Sequence, residues 1–99
     1  MSIDLTGLNK NFEIQSFFEE TKKNILEKKI PKIKEKGPVL LKEHKITYIT
    51  QAFVDIIKKE LEKRTKDKFP NDSTLIEIII KKNDYTNIYE NIISHLSDL

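Results

Sequence analysis

The 99-residue chain contains no cysteine, no tryptophan, only two glycines and only three prolines. Without cysteine there is no disulfide framework, no thiolate zinc or iron–sulfur site and no thiol nucleophile. Gly7 and Gly37 are too few and too scattered for a phosphate-cradling loop or a dinucleotide fingerprint. Long apolar stretches are missing too. The longest are Val39-Leu40-Leu41 and Ile78-Ile79-Ile80, against the ~20 residues that cross a bilayer. The opening MSIDLTGLNKNFEIQ has neither the basic start nor the apolar stretch of a signal peptide. The expectation is a cytoplasmic protein that stays out of the membrane.

What is present is mostly isoleucine and lysine. There are 16 Ile against 2 Val and 1 Ala, and 17 Lys against a single Arg, a pattern that A/T-rich codons produce. Abundance of either residue therefore says little about local conformation; their spacing says more. Apolar residues make up 37% of the chain, and they recur at helical intervals, so one folded domain over 1–99 is expected.

Ser16 and Glu19 read as a capping box that opens a helix of about residues 17–29, with Phe17, Phe18, Thr21 and Ile25 on one face. The segment before it, 1–12, reads as flexible or extended. Ile30-Pro31 should end the helix, because proline disfavours the helical region for its predecessor. Residues 30–38, IPKIKEKGP, then form a Lys/Pro-rich connection. Gly37-Pro38 looks like the start of a short helix reaching His44.

The longest element follows over about 48–66, begun by Thr47 or Thr50, with Ile49, Ala52, Phe53, Ile56, Ile57 and Leu61 in unbroken register. Of these, Ile49, Phe53, Ile56, Ile57 and Leu61 are expected as the central core stripe. Phe69-Pro70-Asn71-Asp72 breaks the chain. Residues 74–82, TLIEIIIKK, carry five β-branched residues that suit a strand. They also carry a Thr74–Glu77 capping box and i,i+4 apolar pairs, which tip the reading to helix. A last helix is expected over about 85–97, with Asp84 as its cap. The expected fold is mostly α, a compact bundle of four to five short-to-medium helices. The fallback is α+β, with one short strand pair near 46–50 and 74–81.

No catalytic constellation emerges. His44 and His95 lie far apart, and neither has a metal-ligand partner at helical spacing. The carboxylates lie on lysine-studded faces, where nothing moves a pKa toward acid–base work. The chain is thus expected to be no enzyme, with no catalytic, cofactor-binding or metal-binding residues and no cofactor.

Charge layout is the most informative feature. Residues 1–21 carry net −3, 22–45 net +6, 46–69 net +2 and 70–99 net −3. A basic middle is thereby hidden inside a total of +2. The leading expectation is a small non-catalytic regulatory domain that binds another protein, with Tyr85 and Tyr89 as candidate interface residues. Homodimerisation is a reasonable expectation for amphipathic helices this short. The alternative is a nucleic-acid-binding regulator whose Lys32, Lys34, Lys36, Lys42 and Lys45 contact phosphates. The order of short helix, turn and long helix loosely follows a helix-turn-helix. A single arginine, however, gives it little with which to read guanine edges.

Overall fold

The computed structural model describes residues 6–99, with side chains from Lys10 onward. Four helices account for the described fold: α1 Thr6–Glu43, α2 Ile46–Lys68, α3 Ser73–Lys82 and α4 Thr86–Ser97. The mostly-α expectation holds, and the fallback strand pair does not. Both 46–50 and 74–81 lie inside helices.

The first helix corrects the sequence reading most. It starts at Thr6 and runs unbroken for 38 residues through both Pro31 and Pro38. Residues 30–38 are therefore helix rather than a connection, and the short helix reaching His44 is the last part of α1. The expected order of short helix, turn and long helix is thus the end of α1, the residues His44-Lys45 and α2. Of the segment expected to be flexible, residues 6–12 are helical, and 1–5 lie outside the described residues. Proline is tolerated here for a physical reason. Its fixed φ is helical, and its cost lies in one lost amide bond and a clash with the carbonyl four residues back. Pro31 and Pro38 are both exposed and stand seven residues apart, so they share one face. The carbonyls of Glu27 and Lys34 that lose a donor therefore lie on the outer side, where water can serve them.

The buried residues of α1 show how the helix uses its length. Ile14, Phe18, Thr21 and Ile25 keep 4-3-4 spacing, whereas Ile25, Ile33 and Gly37 continue in steps of four or eight. Each step of four advances the contact line by about 40° around a 3.6-residue helix. The core-facing side thus rotates along α1, and Lys28, Lys32 and Lys36 emerge where the earlier apolar stripe would have continued.

A two-residue connection, His44-Lys45, returns the chain antiparallel to α1. Lys29 of α1 meets Glu60 of α2 at 3.5 Å, and Phe17 stacks edge-on against Phe69 with ring centres 5.6 Å apart. The short helices α3 and α4 then run end to end beside α1. Lys10 pairs with Asp72 at 3.7 Å, Lys22 donates to Asn83 at 2.9 Å, and Gly37 packs against Leu96. The result is a three-rod bundle whose third rod is broken at Asn83–Tyr85. It measures 62 × 20 × 18 Å, and its radius of gyration is 16.3 Å. A compact 99-residue domain would have about 13 Å. The bundle is elongated rather than compact.

The main core joins Phe18, Ile25 and Ile33 of α1 to Ile49, Phe53, Val54, Ile57 and Leu61 of α2 and to Ile88, Ile92 and Leu96 of α4. A smaller one gathers Ile14, Phe69 and Ile76 under α3. The expected α2 stripe is right at four of its five positions. Ile56 is 47% exposed and Val54 takes the interior place, because α2 faces α1 on one side and α4 on the other. Two buried threonines, Thr50 and Thr65, donate to the carbonyls of Ile46 and Leu61 at 2.7 Å each, which satisfies them inside an apolar core.

Neither expected capping box forms. Ser16 and Glu19 lie mid-helix, where Glu19 accepts from Lys22 and Asn83. Glu77 pairs across to Lys66 at 2.9 Å. The N-cap of α4 is Tyr85 rather than Asp84, although the Asp84 carboxylate, one residue before it, accepts from the Thr86 amide at 2.9 Å. Neither Thr47 nor Thr50 begins α2; its N-cap is Lys45. No helix among the described residues is long and apolar enough to cross a membrane.

Candidate functional site

The five candidate phosphate-binding lysines are all exposed, and none belongs to an ion pair among the described residues. Their placement separates them. Lys32 and Lys36 stand one turn apart on one face of α1, in line with Lys28. Lys34 lies about 120–160° around the helix from the members of that row, and Lys42 about 40–120°. Lys45 sits beyond the end of α1 as the N-cap of α2. One row of lysines forms; a five-membered track does not.

Tyr85 and Tyr89 come together with Gln51, Val54 and Lys58 in a cleft between α2 and α4 of ≈ 340 Å³. Both rings are half-buried against the main core. The Tyr85 hydroxyl donates to the Ile80 carbonyl at 2.9 Å, closing the end of α3. The Lys58 ammonium sits 4.4 Å from the centre of its ring, and that of Lys22 lies 5.9 Å away. Burial pushes the Tyr85 phenol up to about 12, with Glu62 and Glu19 adding to the effect. Its visible role is to pin the break between α3 and α4, with one side of the ring left to the cleft.

The other shifted groups also hold helices together. Hydrogen bonds to Glu62 and Glu77 raise the Lys66 ammonium, and the same bond from Lys66 lowers the Glu77 carboxyl. Thr86 lowers Asp84 by donating to it from hydroxyl and amide. His95 Nδ1 lies 2.8 Å from the Asn91 carbonyl on the exposed side of α4. The His44 ring leans on the Tyr48 ring at 5.2 Å. Among the described residues no three potential metal ligands are grouped.

The feature that sequence reasoning missed lies between the C-terminal part of α1 and the start of α2. There Leu40, His44, Tyr48, Ala52, Phe53 and Ile56 line an open groove of ≈ 280 Å³. Tyr48 is 65% exposed and Ile56 47%. Lys36, from the lysine row, forms part of the wall. The walls are apolar because α2 carries more apolar surface than α1 and α4 together cover. Tyr48, Ala52 and Ile56 recur every four residues on the flank facing neither helix. The signal was in the sequence: a helix with Ile49, Phe53 and Ile57 inside has Tyr48, Ala52 and Ile56 left over on the next face. Merging Ile56 into the core stripe hid it.

Compared with protein-family models, with curated proteins and with solved structures, the chain shows no match.

Proposed function

We propose that the protein is a non-catalytic docking domain that works by protein–protein contact, with the α1–α2 groove as its contact surface. The observation that carries this reading is the apolar row Tyr48, Ala52 and Ile56, exposed along a concave groove whose floor is Leu40 and Phe53. Contiguous apolar surface costs free energy in water and is typical of sites that another molecule covers. A phosphate track is the weaker reading, because four of the five lysines that would compose it are spread around α1 and Lys45 lies beyond its end.

The test is site-directed photo-crosslinking in cells that make the protein. A photo-reactive residue replacing Ala52 reports on the groove, and one replacing Lys23, exposed on α1, reports on another surface. Protein adducts at position 52, absent at position 23 and lost on adding Ile56→Asp, are expected. Nucleic-acid adducts at position 52, or equal protein labelling at both positions, overturn the reading.

A further inference from the structure

Resting on the docking reading above, we infer that the α1–α2 groove accepts an acidic amphipathic helix of a partner protein, about two to three turns of which enter it. The first argument is shape. A trough between two antiparallel helices is what a third helix fills, ridges into grooves. Tyr48, Ala52 and Ile56 span about 12 Å along α2, the length of two helical turns. That matches apolar anchors at i, i+3 or i+4, and i+7 on the incoming helix.

The second argument is charge. On the α1 side the wall carries Lys36, with Lys32 one turn before it. On the α2 side Lys45 precedes Tyr48, and Lys59 follows Ile56 by one turn. All four are exposed, and none is neutralised by an ion pair among the described residues. The acids near these walls are Glu35 and Glu43 on α1 and Asp55 and Glu60 on α2; Asp55 accepts from Gln51 at 3.0 Å, and Glu60 is already paired with Lys29 and Arg64. Four lysines and three acids there stand outside any ion pair among the described residues, so the helix that fits carries carboxylates on both flanks of its apolar stripe.

Shape also decides between anionic partners. A flat anionic bilayer would meet Tyr48 and Ile56 but leave the recessed Leu40 and Phe53 uncovered. A duplex offers phosphates to the lysines and nothing to the apolar floor. The helix satisfies both.

The experiment uses the full chain and two fluorescent helical peptides of about five turns. Both carry the same leucine stripe; one has glutamate on its flanks and the other lysine. Anisotropy titrations should show the acidic peptide binding at least about tenfold tighter than the basic one. Lys36→Glu with Lys59→Glu should weaken the acidic peptide by at least about tenfold and favour the basic one. Ile56→Asp should abolish binding of both. These are exposed positions, so each variant should keep its helices, which circular dichroism checks.

Equal affinity for the two peptides overturns the inference. So does tighter binding to phosphatidylserine vesicles or to a DNA duplex than to the acidic peptide. Self-association of the protein alone that Ile56→Asp abolishes also overturns it, since a second copy would then be the occupant. Crosslinking at position 52 separates this failure from that of the docking reading. A protein adduct there, with no acidic-peptide preference, removes the acidic helix and leaves the docking surface standing.

Discussion

Gly37 of α1 lies so close to Leu96 of α4 that a Cβ at position 37 would stand 3.0 Å from the Leu96 Cδ2. Leu96 is buried, and the half-exposed Leu99 crowds the same spot even more tightly. Glycine in mid-helix costs roughly 0.5–1 kcal/mol relative to alanine, and here the loss lets two helices approach. Gly37→Ala regains that propensity but must displace the end of the Leu99 side chain and press on Leu96, so its net effect should stay within about 1 kcal/mol. Gly37→Val cannot be accommodated by a small shift and should cost about 1–3 kcal/mol. Chemical denaturation of the two variants checks this, and equal stability of Gly37→Val and parent would show that the α1–α4 approach is looser.

The prolines of α1 offer the opposite experiment. Pro31 is exposed and sits inside a continuous helix. Pro31→Ala restores one amide donor to the Glu27 carbonyl and removes the ring clash, so it should stabilise the protein by up to ~3 kcal/mol. A connection at 30–38 would make no such gain. A melting temperature unchanged or lowered by Pro31→Ala would mean that α1 is not one helix.

How far the sequence could be read depends on which forces act locally. The α2 and α4 helices were legible because Ile49, Phe53, Ile57 and Leu61, like Ile88, Ile92 and Leu96, carry their own period. The fate of Pro31, Gly37 and Pro38 was not, because local rules make them a break. Packing of Ile33 and Gly37 against α4 overrides those rules. The Ser16–Glu19 pattern misled for a related reason. The helix had already begun at Thr6, so no free amides remained for Ser16 to cap. The groove is harder to read because Ile56 fits the core stripe by spacing alone, and only the packing of α1 and α4 around α2 leaves Tyr48, Ala52 and Ile56 together on an open flank.

Neighbouring isoleucines on α2 should separate core from surface. Ile57 is fully buried, whereas Ile56 borders the groove. Ile57→Ala should cost about 2–5 kcal/mol through lost burial and a residual cavity. Ile56→Ala should cost less than about 1 kcal/mol, since much of that side chain already meets water. Urea unfolding of the pair decides the matter; comparable losses would place Ile56 in the core after all.

Tyr85 makes stability depend on alkaline pH. Its folded pKa, about 12, lies above the ordinary 10.0, so the folded state holds the proton more tightly than the unfolded chain. The sign follows from linkage. The stabilising contribution is whole below pH 10 and disappears as pH rises toward 12. In Tyr85→Phe that part of the alkaline loss should vanish, at the expense of the hydrogen bond to Ile80. That bond is worth roughly 0.5–1.5 kcal/mol at neutral pH. Ultraviolet titration of the phenolates should likewise lose its last-ionising component in this variant. If the component persists, it belongs to Tyr48 or Tyr89 and the buried phenol is misassigned.

The nucleic-acid alternative can be tested by its own arithmetic. Five lysines acting on one duplex would give a slope of log K against log salt of about −4.5, so a fourfold rise in salt would weaken binding by roughly 500-fold. The fold puts Lys32 and Lys36 on one face with Lys28 and turns Lys34 to the other side of α1. Three phosphate contacts from that row would give a slope of about −2.7, and the same salt step would then cost only about 40-fold. Lys34→Glu should accordingly leave any duplex binding unchanged, while Lys32→Glu with Lys36→Glu should reduce it. Fluorescence anisotropy with a labelled duplex over a salt series measures both quantities. A slope near −4.5 together with a large loss on Lys34→Glu would mean that the lysines act as one surface. In that case a phosphate backbone, rather than a partner helix, is what this bundle was built to meet.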